Sequence, residues 1–222
     1  MKRLIPILLA VFAFAACEKD PDMDKLDNDY LVYTNYDKKA NFKEFTTYYL
    51  PDKILVISDK EEPEYLEGEA AQEILAAYKS NMDQRGYTMA ASKEEAQLGI
   101  QVSYIKSTYF FTDYGQPEWW WGYPGYWGSG YWGNWGGGWY YPYAVNYSYS
   151  TNSFITEIVN LDAPEGPKEK LPILWTSYMT GLVYSSNMNK ALAVKGVNQA
   201  FTQSPYPVSY THLRAHETDS YL

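Results

Sequence analysis

The chain has 222 residues, 27 acidic and 18 basic, with a formal net charge of −9, and it carries 24 tyrosines and eight tryptophans. An acidic balance with no basic cluster interleaved with aromatics repels polyanions and argues against nucleic acid as a partner. One cysteine and two histidines leave no material for a disulfide framework or an ordinary zinc site.

At the N-terminus Lys2 and Arg3 precede an apolar run from Leu4 to Ala16 that closes on Ala15, Ala16 and Cys17. This is the order of charge, apolar stretch and small residues found in a secretory signal. The run is shorter than the roughly 20 residues a membrane-spanning helix needs. Cleavage is expected after residue 16. Its end resembles the lipobox of bacterial lipoproteins, with Phe14 standing where Leu is usual. The resemblance implies a diacylglyceryl thioether on Cys17 and an amide-linked, palmitate-type acyl chain, and acyl chains hold by about 0.8 kcal/mol per buried methylene. A membrane contact through lipid on Cys17 is therefore expected, which also removes the one thiol from catalysis or metal binding. The location implied is the outer membrane, lipid-anchored, on the periplasmic face or the cell surface.

Residues 17–29 follow as an acidic tether, too poor in apolar residues to pack. Asp20, Asp22 and Asp24 imitate the start of a calcium loop, but Lys25 and Leu31 occupy the positions that need Gly and Glu. No metal and no cofactor are expected. The acids directly after Cys17 also resemble the export signal that sends lipoproteins of some gut anaerobes to the cell surface.

The folded part is read as one domain over 30–206, a length that buries a normal core without disulfides. Tyr30 to Tyr36 and Phe42 to Leu50 are rich in β-formers, and Lys53 to Ser58 supplies a short buried strand. After Pro63 a helix is expected, with Ala70, Ile74, Tyr78 and Met82 four apart, Ala71 and Leu75 beside them, and Gly86 as its stop. Leu98, Ile100, Val102 and Tyr104 alternate with Gly99, Gln101 and Ser103, which predicts a strand with one buried face running on to Phe111.

Between 114 and 143 the composition changes. Seven of the eight tryptophans lie here, among glycines and prolines that suit neither a helix nor a strand. The segment reads as a long excursion at the tip of a hairpin formed by 98–111 and 144–161. So many rings in one loop point to an interaction site. The candidate binding residues are Trp119, Trp120, Trp121, Tyr123, Tyr126, Trp127, Trp132, Trp135 and Trp139. Their flat faces suit a glycan, a membrane interface or a protein partner, and Asp113, Gln116, Glu118 and Asn134 are near enough in sequence to grip hydroxyls. A low-complexity insertion folding back over the sheet without a ligand is the competing reading.

Leu171 to Tyr184 supplies another strand, and Asn187 is placed to cap a last helix with Ala191, Val194, Val197 and Phe201 on one face. Residues 207–222 stand apart: Pro207 to Thr218 resembles the translation of a transposon-end sequencing adapter and is left out of the fold reading. Both histidines, His212 and His216, lie within it. Without signal and tail, 15 basic and 25 acidic residues remain, a net charge of −10.

The order of elements indicates an α+β fold, a mixed, largely antiparallel sheet with two helices packed on one face. Ala40 to Leu50, Arg85 to Thr88, Glu94 to Val102 and Val197 to Tyr206 together resemble the bacterial lipoprotein family known as domain of unknown function 4136. That resemblance implies a family fold without implying a known activity.

Histidine-based triads and thiol catalysis have no residues to use in 17–206. Glycan hydrolysis by two carboxylates is the chemistry left, with Asp113, Glu118 and Glu157 as its candidates. Each reads more simply as a solvated surface charge. A phosphate-binding loop is absent from the glycine-rich stretch, which lacks the following Lys and Ser or Thr. The reading is a non-catalytic envelope lipoprotein that binds a glycan or envelope surface through its aromatic loop, with an accessory subunit of an envelope protein assembly as the alternative.

Overall fold

The computed structural model describes residues 30–58, 64–106, 139–143, 152–162, 171–181, 183–184 and 187–207. The strands are β1 (Leu31–Tyr36), β2 (Thr47–Tyr49), β3 (Ile54–Ile57), β4 (Glu64–Leu66), β5 (Thr88–Met89), β6 (Leu98–Ile105), β7 (Trp139–Tyr140), β8 (Ser153–Asn160), β9 (Leu171–Thr180), β10 (Val183–Tyr184) and β11 (Asn187–Met188). The helices are α1 (Glu69–Gln84) and α2 (Lys190–Thr202). The main sheet runs β1-β9-β8-β6-β2-β5, with β3 also beside β6, β4 beside β3 and β7 beside β9. Its long pairs, β1 with β9, β9 with β8 and β8 with β6, are antiparallel, whereas β2 and β3 join β6 in parallel. This is the expected α+β architecture, a mixed and largely antiparallel sheet with two helices.

Both helices bury their apolar stripes against one face of the sheet. In α1 the buried side chains are Ala71, Ile74, Leu75, Ala77, Tyr78, Asn81 and Met82. The helix ends because Gly86 adopts φ +84, which only glycine takes freely. The Tyr87 N–H then returns to Met82 O at 3.2 Å and the Gly86 N–H to Asp83 O at 3.0 Å, closing the last turn. In α2 the cap is Asn189, whose Oδ1 accepts the Leu192 N–H at 3.2 Å. Asn187, expected as the cap, sits in β11 instead. The buried face follows the true start: Ala193, Gly196, Val197, Ala200 and Phe201, with Ala191 exposed. At Gly196 the helix comes so close to β9 that a Cβ would lie 2.9 Å from Met179 Sδ.

Two further expectations change. Phe42 to Leu50 is a 3-10 turn at Phe42–Glu44 before β2, because Phe42 is drawn into the core under Tyr206 and Tyr87. β6 is buried on both faces, Gly99, Gln101 and Ser103 included. Its polar phase is covered and does not face water.

Candidate functional site

Because strand side chains alternate, β8 divides cleanly. Phe154, Thr156 and Ile158 point to the helices, while Ile155, Glu157 and Val159 join a second core on the outer face with Leu55, Ile57, Ile105, Ile173 and Tyr178. A bulge in β9 at the Ile158/Val159 register shift sends both Leu174 and Trp175 to the helix side. Beyond it, Thr176 and Tyr178 return to the outer face.

In the middle of this outer core lies a row of polar side chains. Gln101 on β6 is in register with Glu157 on β8, which is in register with Thr176 on β9. All three are at most 1% exposed. A buried row of this kind is tolerated only when its hydrogen bonds are made. Gln101 Nε2 donates to Val102 O at 2.9 Å and to Ser103 Oγ at 3.2 Å. The Tyr141 hydroxyl donates to Glu157 Oε1, and the Tyr143 hydroxyl pairs with Thr176 Oγ1 at 2.8 Å. The two phenols meet edge to face, centroids 5.7 Å apart. Nearby, Ser153 Oγ and the Tyr178 hydroxyl are 3.1 Å apart.

The residues supplying these hydroxyls form the carboxyl-terminal end of the aromatic segment. β7 pairs in parallel with the start of β9, Trp139 beside Leu171 and Tyr140 beside Pro172. Of the nine aromatic residues expected to bind, Trp139 is the one within the described residues, and it is 0% exposed in the outer core. The expectation of a presented ring is corrected there: Trp139 anchors the segment. Trp119, Trp120, Trp121, Tyr123, Tyr126, Trp127, Trp132, Trp135, Cys17, Asp113, Gln116, Glu118 and Asn134 lie outside the described residues. Glu157 is likewise not a solvated surface acid. It is enclosed with Tyr141 as its hydrogen-bond donor, so its role as one of two carboxylates flanking a sugar bond has no geometric support.

In the sequence Gln101 and Ser103 imitate a water-facing phase of β6, which hides the polar row. Its signal there is Ile155, Val159 and Ile173, apolar residues that share the outer face with them. A second feature is a shallow groove of about 220 Å³ where α1 meets the turn after β2, floored by Leu50, Leu75 and Met89. Its cation, Lys79, is already paired with Asp83. Among the described residues no helix is long and apolar enough to cross a membrane.

The model of the domain of unknown function DUF4136 matches residues 32–206, from β1 to the chain after α2. The chain belongs to the DUF4136 family. A crystal structure of a DUF4136 family protein from Bacteroides thetaiotaomicron is 70% identical, with a TM-score of 0.74, covering 82% of this chain and 99% of that one. A PelC dodecamer from Paraburkholderia phytofirmans is similar at 9% identity and a TM-score of 0.39, covering 81% of this chain and 98% of its own. Comparison with curated proteins gives no match. The DUF4136 match takes in the aromatic segment and the strands on both sides of it.

Proposed function

We propose that this DUF4136 chain is a non-catalytic lipoprotein of the cell envelope, held on the outer membrane through lipid on Cys17, that binds a glycan or envelope surface with its aromatic segment. The observation that carries the reading is the concentration of seven of eight tryptophans within 119–139, in a segment whose final residues are seated on the sheet. With Trp139 assigned to the anchor, the binding set is the eight remaining candidates, Trp119, Trp120, Trp121, Tyr123, Tyr126, Trp127, Trp132 and Trp135. Indole and phenol faces stack on the apolar faces of sugar rings, and a segment tied at its end to a rigid sheet loses less freedom on binding than a free one.

Replacing Trp119, Trp120 and Trp121 together by Ala is expected to abolish retention on a polysaccharide array and to leave circular dichroism unchanged. No signal from the unsubstituted protein on any glycan would end the sugar reading. One observation favours the alternative of an accessory subunit in a protein assembly: Leu31 and Tyr33, two apart on β1, are each 49% exposed. A crosslinked protein complex that survives deletion of 115–142 would support it over the aromatic segment.

A further inference from the structure

β1 pairs with β9 through six residues in antiparallel register. Its even-numbered residues are held a second time, by α2 and the chain that follows it. The Tyr30 hydroxyl, at the entry to the strand, donates to Gln199 Oε1 at 2.8 Å, and Lys195 Nζ lies 5.3 Å from the centre of the Tyr30 ring. Val32 packs in the helix-side core, and Gln203 Nε2 donates to its carbonyl at 3.1 Å and to Thr34 Oγ1 at 3.4 Å. The Tyr206 ring stacks on Tyr36, centroids 3.6 Å apart and planes 20° from parallel. Residues 203–206 are themselves seated. The Gln203 N–H closes on Gln199 O and the Ser204 N–H on Phe201 O, both at 3.0 Å, and Pro205 turns the chain out of the helix. Ser204 is 0% exposed, and its Oγ accepts the Trp175 Nε1–H at 3.0 Å and the Tyr206 hydroxyl at 3.2 Å. Trp175 is the register partner of Tyr36 on β9, so serine, phenol, β1 and β9 close a ring of contacts.

We propose that residues 203–206 are a latch whose seating on Val32, Thr34 and Tyr36 controls whether β1 stays docked on the sheet, while the rest of the domain remains folded. Among the described strands β1 stands at the end of the order β1-β9-β8-β6-β2-β5. Its release therefore breaks one ladder and leaves the β9–β8 and β8–β6 pairings in place, and an element so placed opens below the global unfolding free energy. β1 is also where the 17–29 segment enters the domain. Under the proposed lipidation of Cys17, on which this consequence rests, a released β1 adds residues 30–36 to the tether and gives the domain up to roughly 20 Å of further reach from the membrane. The latch itself does not depend on the lipid.

Hydrogen exchange of the full chain at low protein concentration, read by mass spectrometry, tests it. The reporting amides are those of Leu31, Tyr33 and Asn35, which face β9. Tyr206→Ala, which loses the stacked ring, is expected to speed their exchange about tenfold or more with α1 and β6 unchanged. Tyr206→Phe keeps the ring and is expected to stay within about twofold of the unsubstituted protein. Unchanged exchange of β1 in Tyr206→Ala overturns the proposal, as does equal acceleration across β1, α1 and β6, which would make strand and helices one cooperative unit. A Phe variant as fast as the Ala variant also counts against it, because the ring is the contact that holds Tyr36. So does a Tyr206→Ala chain that fails to fold, since a latch acts on β1 and leaves the remaining domain standing.

Discussion

Tyr78 is the side chain through which α1 engages the centre of the sheet. It is fully buried, its hydroxyl lies 2.5 Å from Thr156 Oγ1 on β8, and its ring meets Phe201 of α2 edge to face at 6.1 Å. Removing the hydroxyl alone leaves Thr156 Oγ1 buried without that partner, beside the Ser177 hydroxyl in register with it on β9, which costs about 1 to 2 kcal/mol. Tyr78→Phe is therefore expected to lower the free energy of urea unfolding by that amount, seen as a lower midpoint at unchanged slope. Thr156→Val added to it removes the stranded group and is expected to recover much of the loss, since replacing both partners by apolar groups of similar shape is nearly neutral. A double variant as unstable as the sum of its parts would show that the two hydroxyls are not coupled. The position of Tyr78 was legible in the sequence because it belongs to the four-residue spacing of α1. Its partner was not. Nothing in the alternation of β8 distinguishes Thr156, which bonds toward the helices, from Glu157, which bonds away from them.

The elements whose character was legible are those with one kind of neighbour. α1 has a single packed face, so its period survives in the sequence, and Gly86 marks its end. β6 lies between two cores, so Gln101 and Ser103 imitate an exposed phase while buried. Asn187 and Asn189 offer the same capping chemistry two residues apart, and the β10–β11 pairing decides between them. β4 and β5, three and two residues long, leave too short a pattern to see. At the edge strand β1 another device became visible only in three dimensions. Asp37 N donates to Leu174 O, so the odd-numbered residues bond to β9 and the backbone groups of Val32, Thr34 and Tyr36 face outward. Gln203 Nε2 donates to Val32 O at 3.1 Å, and Asn35 Oδ1 accepts the Tyr36 N–H at 2.9 Å. These amides occupy groups that another strand would otherwise pair with. The double substitution Gln203→Ala and Asn35→Ala is expected to produce concentration-dependent self-association in sedimentation velocity, with β1 protected against exchange in the associated form. A monomer at every concentration would remove the guarding role.

At the scale of the whole molecule, 24 tyrosines make alkaline pH the condition that separates the folded from the unfolded chain. Burial pushes the Tyr78 phenol up to about 12 against the opposing pull of the Thr156 and Ser177 hydroxyls. Tyr48 is raised further, by burial first and then by its hydrogen bond to Asp83 and that carboxylate's charge. Tyr87 and Tyr104 are raised by burial. In the unfolded chain each of these phenols ionises near 10. The folded state therefore keeps protons that the unfolded state releases, so this contribution is whole below pH 10 and is lost as the pH climbs toward the folded values. Each pH unit between the two is worth about 1.4 kcal/mol for a fully buried phenol. Tyr78 alone then removes roughly 3 kcal/mol by pH 12, a large part of a stability of about 5 to 15 kcal/mol. Lys190, raised by its hydrogen bonds to Glu73 and Glu69 across the helix pair, loses its attraction in the same direction. The part of the 295 nm absorbance rise that belongs to Tyr48, Tyr78, Tyr87 and Tyr104 is expected to appear only as the far-ultraviolet circular dichroism collapses. Ionisation of all tyrosines in one step near 10, with the dichroism unchanged, would mean that the helix-side core admits water freely, contrary to the closed packing around Tyr78.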